Sequence, residues 1–418
     1  MLKAFLKDSV IYSLPAFLSR GISLILIPLY TRVLSPADYG SLDLFLVFAN
    51  IINLTIALEI SQGVARYYTD TKNKKEKILY FSTAYWFTIF CYSLFAILGL
   101  AFSSELAVFI LKQPKLETTF IIGVFYIWLS GTFFLTLNQL RWQLRSFDYA
   151  IASLVMTICS ALFSVFFSYQ LQWGLEGLIL GMALGTACGL VLTNLQLLSI
   201  LKLQFNLRFL KNMLRFSIPL VFAGISSWAS LYTDRIMIQQ FISIYDTGLY
   251  GIGFRLASIS VLILIGFQSA LTPLIYNSHK KRETPCEIAK IFRIFIVFAC
   301  FIYMSISLFS DYLIQFLTTE AYFDGADVVI FLTPALILGG MYIFAPGIAI
   351  YKKTHLYLWL NLSGAALNVI FNLYFIPLFG IKGAAASTLL SSFLIFICYI
   401  AISQRYYPVP HKWTPILL

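Results

Sequence analysis

The sequence predicts an all-α polytopic membrane protein of about twelve transmembrane helices, arranged as two six-helix lobes. Three observations predict it. The chain is 60% hydrophobic and only 11% charged over 418 residues, with a mean hydropathy of +0.85. Its apolar runs repeatedly exceed the ~20 residues needed to cross hydrocarbon. Basic residues gather in alternate loops, so both termini are expected in the cytoplasm. An open sheet would leave backbone groups unpaired in lipid, and a barrel would show short alternating segments instead.

The expected spans are 10–33, 40–65, 79–102, 119–141, 149–171 and 176–200 in the first lobe (1–207). Those of the second lobe (208–418) are 214–238, 248–275, 289–310, 327–350, 355–377 and 383–404. The first span follows Lys3 and Lys7 without a small-residue cleavage site, so no removable signal is expected. Connections are short apart from two on the outer side, Ser103–Lys115 and Asp311–Asp327, and both read as loops.

The second half restates the first. Leu231-Tyr232-Thr233 echoes Leu29-Tyr30-Thr31, and Ser243, Asp246 and Gly248 repeat the spacing of Ser35, Asp38 and Gly40. Gly174 and Gly177 recur as Gly380 and Gly383, and Gly181 and Gly185 align with Ser387 and Ser391. Small residues at every fourth position let helices approach closely in lipid and read as a packing seam. Two copies that both start inside imply parallel repeats, an arrangement that holds its site between the halves and rocks about it.

The net charge of +11 does not indicate nucleic acid, because it is spread over alternate loops as a topology signal and as contacts to anionic lipid. Six cysteines and three histidines (His279, His355, His411) show no metal-ligand spacing, so no metal and no cofactor is expected. No P-loop is present, which argues against direct ATP use.

Charge inside the spans carries the functional signal. An Arg at a helix centre costs about 2.5–3.5 kcal/mol on insertion scales, so its retention calls for a partner or a ligand. Arg20 lies near the middle of the first span and Arg255 in the outer third of the eighth; Arg66 lies toward the inner end of its span, and Arg32 and Arg235 toward outer ends. Guanidinium stays charged in any setting and presents a planar fork to phosphate oxygens. These five, with Asn368 and Asn372 on the eleventh span, are the expected contacts to an anionic substrate. Glu59, Asp234 and Asp43 are the candidates to bind H⁺ or Na⁺ as the driving ion. The bland alternative is structural: Glu59 paired with Arg20, and Asp234 and Arg235 as end anchors.

Residues Gly21–Gly40 follow the pattern G-x-S-x-x-x-x-P-L-Y-T-R-x-L-S-x-x-D-Y-G. With the twin G-x-x-G turns, Asn368, Asn372 and Pro377, this resembles the polysaccharide-export family, the O-antigen flippases. That family shares a superfamily with the lipid II flippases and the multidrug and toxin extruders. The resemblance implies two six-helix lobes in a V, in a bacterial inner membrane. It implies translocation of an undecaprenyl-diphosphate-linked oligosaccharide from the cytoplasmic to the periplasmic leaflet. A polysaccharide polymerase and a chain-length regulator are its expected partners. Lipid II flippases are similar in carrying arginines on the first, second and eighth helices. Arg20 and Arg255 match the first and eighth; the second has Glu59 in mid-span and Arg66 only at its inner end.

Two rivals stand beside this. A cation or drug antiporter would want acidic groups alone in its cavity. A membrane glycan polymerase or acyltransferase, the enzyme reading, would display a large outer loop or a His/Asp/Arg cluster at one face.

Overall fold

A computed structural model describes residues 2–111, 114–278, 281, 283–351 and 353–411; His279 lies outside the described residues. Every regular element among them is helical. The chain divides into two compact units, Met1–Ile225 and Ser226–Leu418.

The first unit holds α1 (Leu2–Val33), α2 (Pro36–Thr55), α3 (Ile60–Asp70), α4 (Lys74–Ala101), α5 (Ser103–Leu111), α6 (Glu117–Trp142), α7 (Ser146–Val165) and α8 (Gly174–Leu197). Helix α9 (Leu207–Phe241) contains the boundary between the units. The second unit continues with α10 (Ile244–Ala257), α11 (Val261–Ser278), α12 (Thr284–Leu308), α13 (Ser310–Leu317), α14 (Val329–Gly340), α15 (Gly347–Ile350) and α16 (Thr354–Tyr406).

Among the described residues, ten helical stretches are long and apolar enough to cross a membrane, or eleven if the bent pair α2–α3 is one span. The last of these, α16, is 53 residues long and contains a non-helical residue, Gly380 (φ 59, ψ −139). Contacts across Gly380 show that the chain folds back there. Asn368 bonds Thr388, and Gly364 and Gly383 meet Ile395 and Phe375. Each arm is longer than the ~20 residues a span requires.

The surface explains the hydropathy. On α12, Val297, Phe301, Met304 and Leu308 are exposed while Phe292, Phe295 and Ala299 on the opposite face are buried. A helix apolar on both faces has lipid as its solvent. The chain is a multi-pass integral membrane protein.

The sequence repeat has local physical causes. Ser35 accepts the Asp38 backbone N–H (3.2 Å) and the Asp38 carboxylate accepts the Ser35 N–H (3.1 Å), with Pro36 in the first turn. This is a capping box, which satisfies the orphan donors at the start of α2. At the start of α10, Ser243 accepts the Asp246 N–H (3.0 Å) and donates to its carboxylate. Gly174 (φ 55) and Gly380 (φ 59) are the described glycines with positive φ, and each starts the returning helix of a hairpin. A Cβ on Gly181 would lie 2.2 Å from the Ser164 backbone nitrogen, and one on Gly185 2.2 Å from Ser160. Ser160 and Ser164 of α7 therefore belong to the α7–α8 seam, and Ser164 donates to Leu178 O (3.0 Å). Gly181→Val should destabilise the protein by about 1–3 kcal/mol through overpacking, read as a lower midpoint in thermal unfolding of the detergent-solubilised protein.

Several expected elements differ. The second span breaks: Leu58 and Glu59 both have φ 51, and α2 and α3 are bent by 42°. No Gly or Pro announces this, and each left-handed residue costs about 1–2 kcal/mol. Thr55, Glu59, Gln62 and Arg66, though at helical spacing, therefore do not lie along one continuous helix. The two segments expected as outer loops are helical, as α5 and as α13 with a 3₁₀ segment, Glu320–Val328. The span expected over 327–350 ends its α-helix at Gly340 and passes through Ala345–Pro346 into α15, because Pro346 cannot continue a helical ladder.

Past the last span, Gln404 bonds both the Val409 N–H (2.8 Å) and carbonyl (2.9 Å). Val409 joins the aromatic core of α12 and α14, and the His411 ring lies 4.6 Å from that of Phe292. Burial lowers the His411 pKa below its ordinary 6.5, against a smaller opposing contact with the Phe344 backbone. A lowered folded-state pKa favours the docked tail above the unfolded value, and that stability is lost as pH falls through the lowered value. Limited proteolysis of the tail should accelerate on acidification, and His411→Gln should blunt the dependence.

Candidate functional site

A buried polar cluster of the second unit surrounds Asp234, on α9 and 3% exposed. The Tyr250 hydroxyl on α10 donates to its carboxylate at 2.7 Å. Asn372 Nδ2 on the first arm of α16 donates at 2.7 Å, and Thr388 Oγ1 on the second arm at 2.6 Å. Asn368 closes the ring: it accepts from Asn372 (3.0 Å) and donates to Thr388 (3.3 Å). One carboxylate thus holds together α9, α10 and both arms of α16. Three donors satisfy the acceptor oxygens of one buried carboxylate.

Asp234, Asn368 and Thr388 face a cavity of about 680 Å³ within this unit, which Ser230, Gln268 and Asn361 also line. Asp234 is the one charged residue among its described lining; Arg235 and Arg255 are not part of it. Arg235, expected near an outer opening, is 3% exposed. Its guanidinium lies 4.3 Å from the Phe254 ring centre, with Tyr232 and Tyr250 at 5.5 and 5.8 Å. Its Nη1 donates to Leu231 O at 3.0 Å. It is held in an aromatic cage, where cation–π attraction replaces water. Arg255 is half-buried in the last turn of α10.

In the first unit, Arg20 is half-buried on α1 and its Nη1 is buried without a hydrogen-bond partner. Arg20 and Glu59 do not form an ion pair among the described residues. Glu59 is half-buried at the α2–α3 break. Arg32 is exposed in the last turn of α1. Arg66 is exposed and pairs with Asp70 at 3.3 Å, both about 60% exposed, so this pair contributes little to stability. Asp43 is buried on α2. No group of three His, Cys, Asp or Glu residues suited to a metal occurs among the described residues.

The structure therefore brings Asp234, Asn368 and Asn372 together, and keeps Arg235 beside them without access to the cavity. Sequence reasoning missed Tyr250 and Thr388. Tyr250 is one of 25 tyrosines, and Thr388 adjoins the small-residue seam at Ser387 and Ser391, so neither residue type was informative alone.

Residues 29–327 match the model of a family described as polysaccharide biosynthesis protein. The chain belongs to this family. A Haemophilus influenzae protein of the Lsg locus is 24% identical over 294 residues, covering 66% of this chain and 67% of that one. Among solved structures, the lipid II flippase MurJ in an inward closed conformation is similar with a TM-score of 0.74 at 16% identity, covering 96% of this chain and 89% of the other. An inward-facing multidrug resistance MATE family transporter of the MOP superfamily has a TM-score of 0.73 at 14% identity, covering 95% and 94%. A MOP superfamily transporter from Pyrococcus furiosus has a TM-score of 0.68 at 15% identity, covering 96% and 95%. At these identities the likeness concerns the fold. This polysaccharide biosynthesis family member thus has the fold of the MOP superfamily transporters.

Proposed function

We propose that this protein is a flippase for an undecaprenyl-diphosphate-linked oligosaccharide, moving it from the cytoplasmic to the periplasmic leaflet of a bacterial inner membrane by alternating access. The observation that carries this reading is Arg20. A guanidinium with a buried, unpartnered nitrogen stands inside an apolar span of a polysaccharide biosynthesis protein. Its insertion is costly, and a diphosphate is the group in this pathway that repays a planar cation. Arg255 is the second diphosphate contact, and Arg32 and Arg66, both exposed, meet the headgroup on entry or exit. A glycan diphosphate cannot enter hydrocarbon bare, so it must stay solvated within the protein while its tail remains in lipid.

The drive is H⁺ or Na⁺ exchange at Asp234. Loading an ion there competes with the three donors that tie α9, α10 and α16 together, so occupancy changes the packing of the unit. Asp43 is the weaker candidate. Both termini lie in the cytoplasm in this reading, and a polysaccharide polymerase and chain-length regulator act on the delivered unit.

Complementation of a flippase-null strain tests it. Arg20→Ala and Arg255→Ala, at equal expression, should each lower surface glycan by about 10- to 100-fold, the loss of a charge-assisted hydrogen bond. Lipid-linked units should accumulate on the inner leaflet. Full activity in both variants would remove the site assignment. A second reading, cation or drug antiport, is favoured by the anionic lining of the 680 Å³ cavity. Under it, the same variants would leave glycans intact and Asp234→Asn would change drug tolerance.

A further inference from the structure

Arg141, in the last turn of α6, is set on a pair of aromatic rings. Its guanidinium carbon lies 5.7 Å from the Tyr12 ring centre and 5.2 Å from that of Tyr149. The two rings themselves meet edge to face, with centres 5.2 Å apart. Three helices of the first unit therefore converge on one point: α1 through Tyr12, α6 through Arg141 and α7 through Tyr149. Both tyrosines are half-buried and Arg141 is exposed, so the rings make a ledge and the cation its open side.

The donors of this guanidinium are unspent. Among the described residues Arg141 makes no hydrogen bond and no ion pair. The charges around it are committed elsewhere. Arg145 donates to Asp148 at 2.6 Å and to Gln196 O at 2.8 Å, so the acid nearest in the chain is already taken. Helix α7 starts at Ser146 without a side-chain cap, and the partial positive charge of its first turn adds to that of Arg141.

A residue that only sets topology needs charge alone, and Lys serves that purpose equally well. A guanidinium held on ring faces is oriented in advance, which lowers the ordering cost of a ligand, and it keeps its N–H fork for a planar contact to phosphate oxygens. Position points the same way. Helices α1 and α7 run parallel: Tyr12 meets Tyr149, and further along Ser19 bonds Thr157 at 2.8 Å. Arg20 adjoins that second contact, about 12 Å from Tyr12 along the helix axis. In the orientation proposed above, Arg141 marks the inner surface and Arg20 the mid-span of one α1–α7 seam.

We propose that Arg141, on its Tyr12–Tyr149 ledge, is the capture site for the diphosphate of the lipid-linked substrate at the inner surface, from which the headgroup passes to Arg20. This rests on the flippase reading. Arg66 is less suited to the task, because Asp70 already pairs with it. A diphosphate offers more charge and more acceptor oxygens than the phosphodiester of a bulk phospholipid, which lets an exposed fork select it.

The test is binding of undecaprenyl diphosphate to the purified full chain in nanodiscs of zwitterionic lipid, read by native mass spectrometry, with phosphatidylglycerol as the competing anionic lipid. Wild type should prefer the diphosphate. Arg141→Gln should weaken diphosphate binding about tenfold, the loss of one charge-assisted contact, and leave phosphatidylglycerol binding unchanged. Arg141→Lys, which preserves the topology charge, should not restore it. Tyr149→Leu should weaken binding several-fold, and Tyr149→Phe, which keeps the ring, should restore it; this pair gives the readout if Arg141→Gln assembles poorly. Wild-type affinity in Arg141→Gln, Arg141→Lys or Tyr149→Leu, or an equal loss for both lipids, overturns the capture site. If that occurs while Arg20→Ala still loses the diphosphate, the flippase reading stands without it. A wild type that does not prefer the diphosphate overturns both.

Discussion

Asp234→Asn should reduce transport by about 100-fold or more, if the carboxylate carries the driving ion as proposed, while leaving the protein folded. An amide keeps one acceptor oxygen for Tyr250 or Thr388, but it loses the charge and turns an N–H₂ toward groups that are themselves donors. Asp234→Ala should be the more disruptive variant for stability. Three buried donors at 2.6–2.7 Å lose one common acceptor. Each unsatisfied donor costs about 1–3 kcal/mol, and because they share a partner the total falls short of the sum. Thr388 can fall back on Ala384 O, 3.0 Å away, and Asn372 on Asn368; Tyr250 has no such alternative among the bonds described here. A destabilisation of about 3 kcal/mol is expected, measured as the difference in unfolding midpoint between Asp234→Ala and Asp234→Asn. Wild-type export by Asp234→Asn would remove the ion from this position.

Gly380→Val should prevent correct assembly of the second unit. With φ 59 and ψ −139, Gly380 sits where a side chain is barely tolerated. A non-glycine residue there costs about 1–3 kcal/mol, and a β-branched one sits at the upper end. The consequence exceeds that local cost because the turn sets the register of both arms of α16. Three residues on, a Cβ at Gly383 would already lie 2.0 Å from Phe375 O, so the arms cannot shift to relieve the strain. If the register slips, Asn368 loses Thr388, and Asp234 cannot keep both Asn372 and Thr388 as donors. Paired cysteines at positions 368 and 388 should crosslink in the parent protein and not in the Gly380→Val background. Gly174→Val, at the matching turn of the first unit, should reduce yield and leave that crosslink intact.

These two predictions divide along what a sequence can carry. The Gly174/Gly380 repeat and the Ser35–Asp38 and Ser243–Asp246 spacings were legible because their causes are local. A left-handed turn needs glycine, and a helix start needs a side-chain acceptor within three residues. The assignment of Asn368 and Asn372 to the substrate shows where that legibility stops. Their four-residue spacing marks one polar helix face, and nothing in it says what that face meets. The fold aligns them with a carboxylate 138 residues away in the chain. Likewise, the second span was read as one helix because Asn53–Gln62 contains neither glycine nor proline. The bend at Leu58–Glu59 stands where α3 begins to pack against α4 and α6.

Membrane residence, helical class and the twofold repeat of this protein were determined by the sequence alone, since transfer free energy and backbone sterics act residue by residue. Tertiary structure alone decided that Asp234 is enclosed by three donors, that Arg235 is caged by aromatic rings, and that Glu59 stands at a break in its span. Each of those outcomes depends on which helix faces are brought together across long stretches of chain, and every polar side chain here could have satisfied itself in more than one way until a neighbour was supplied.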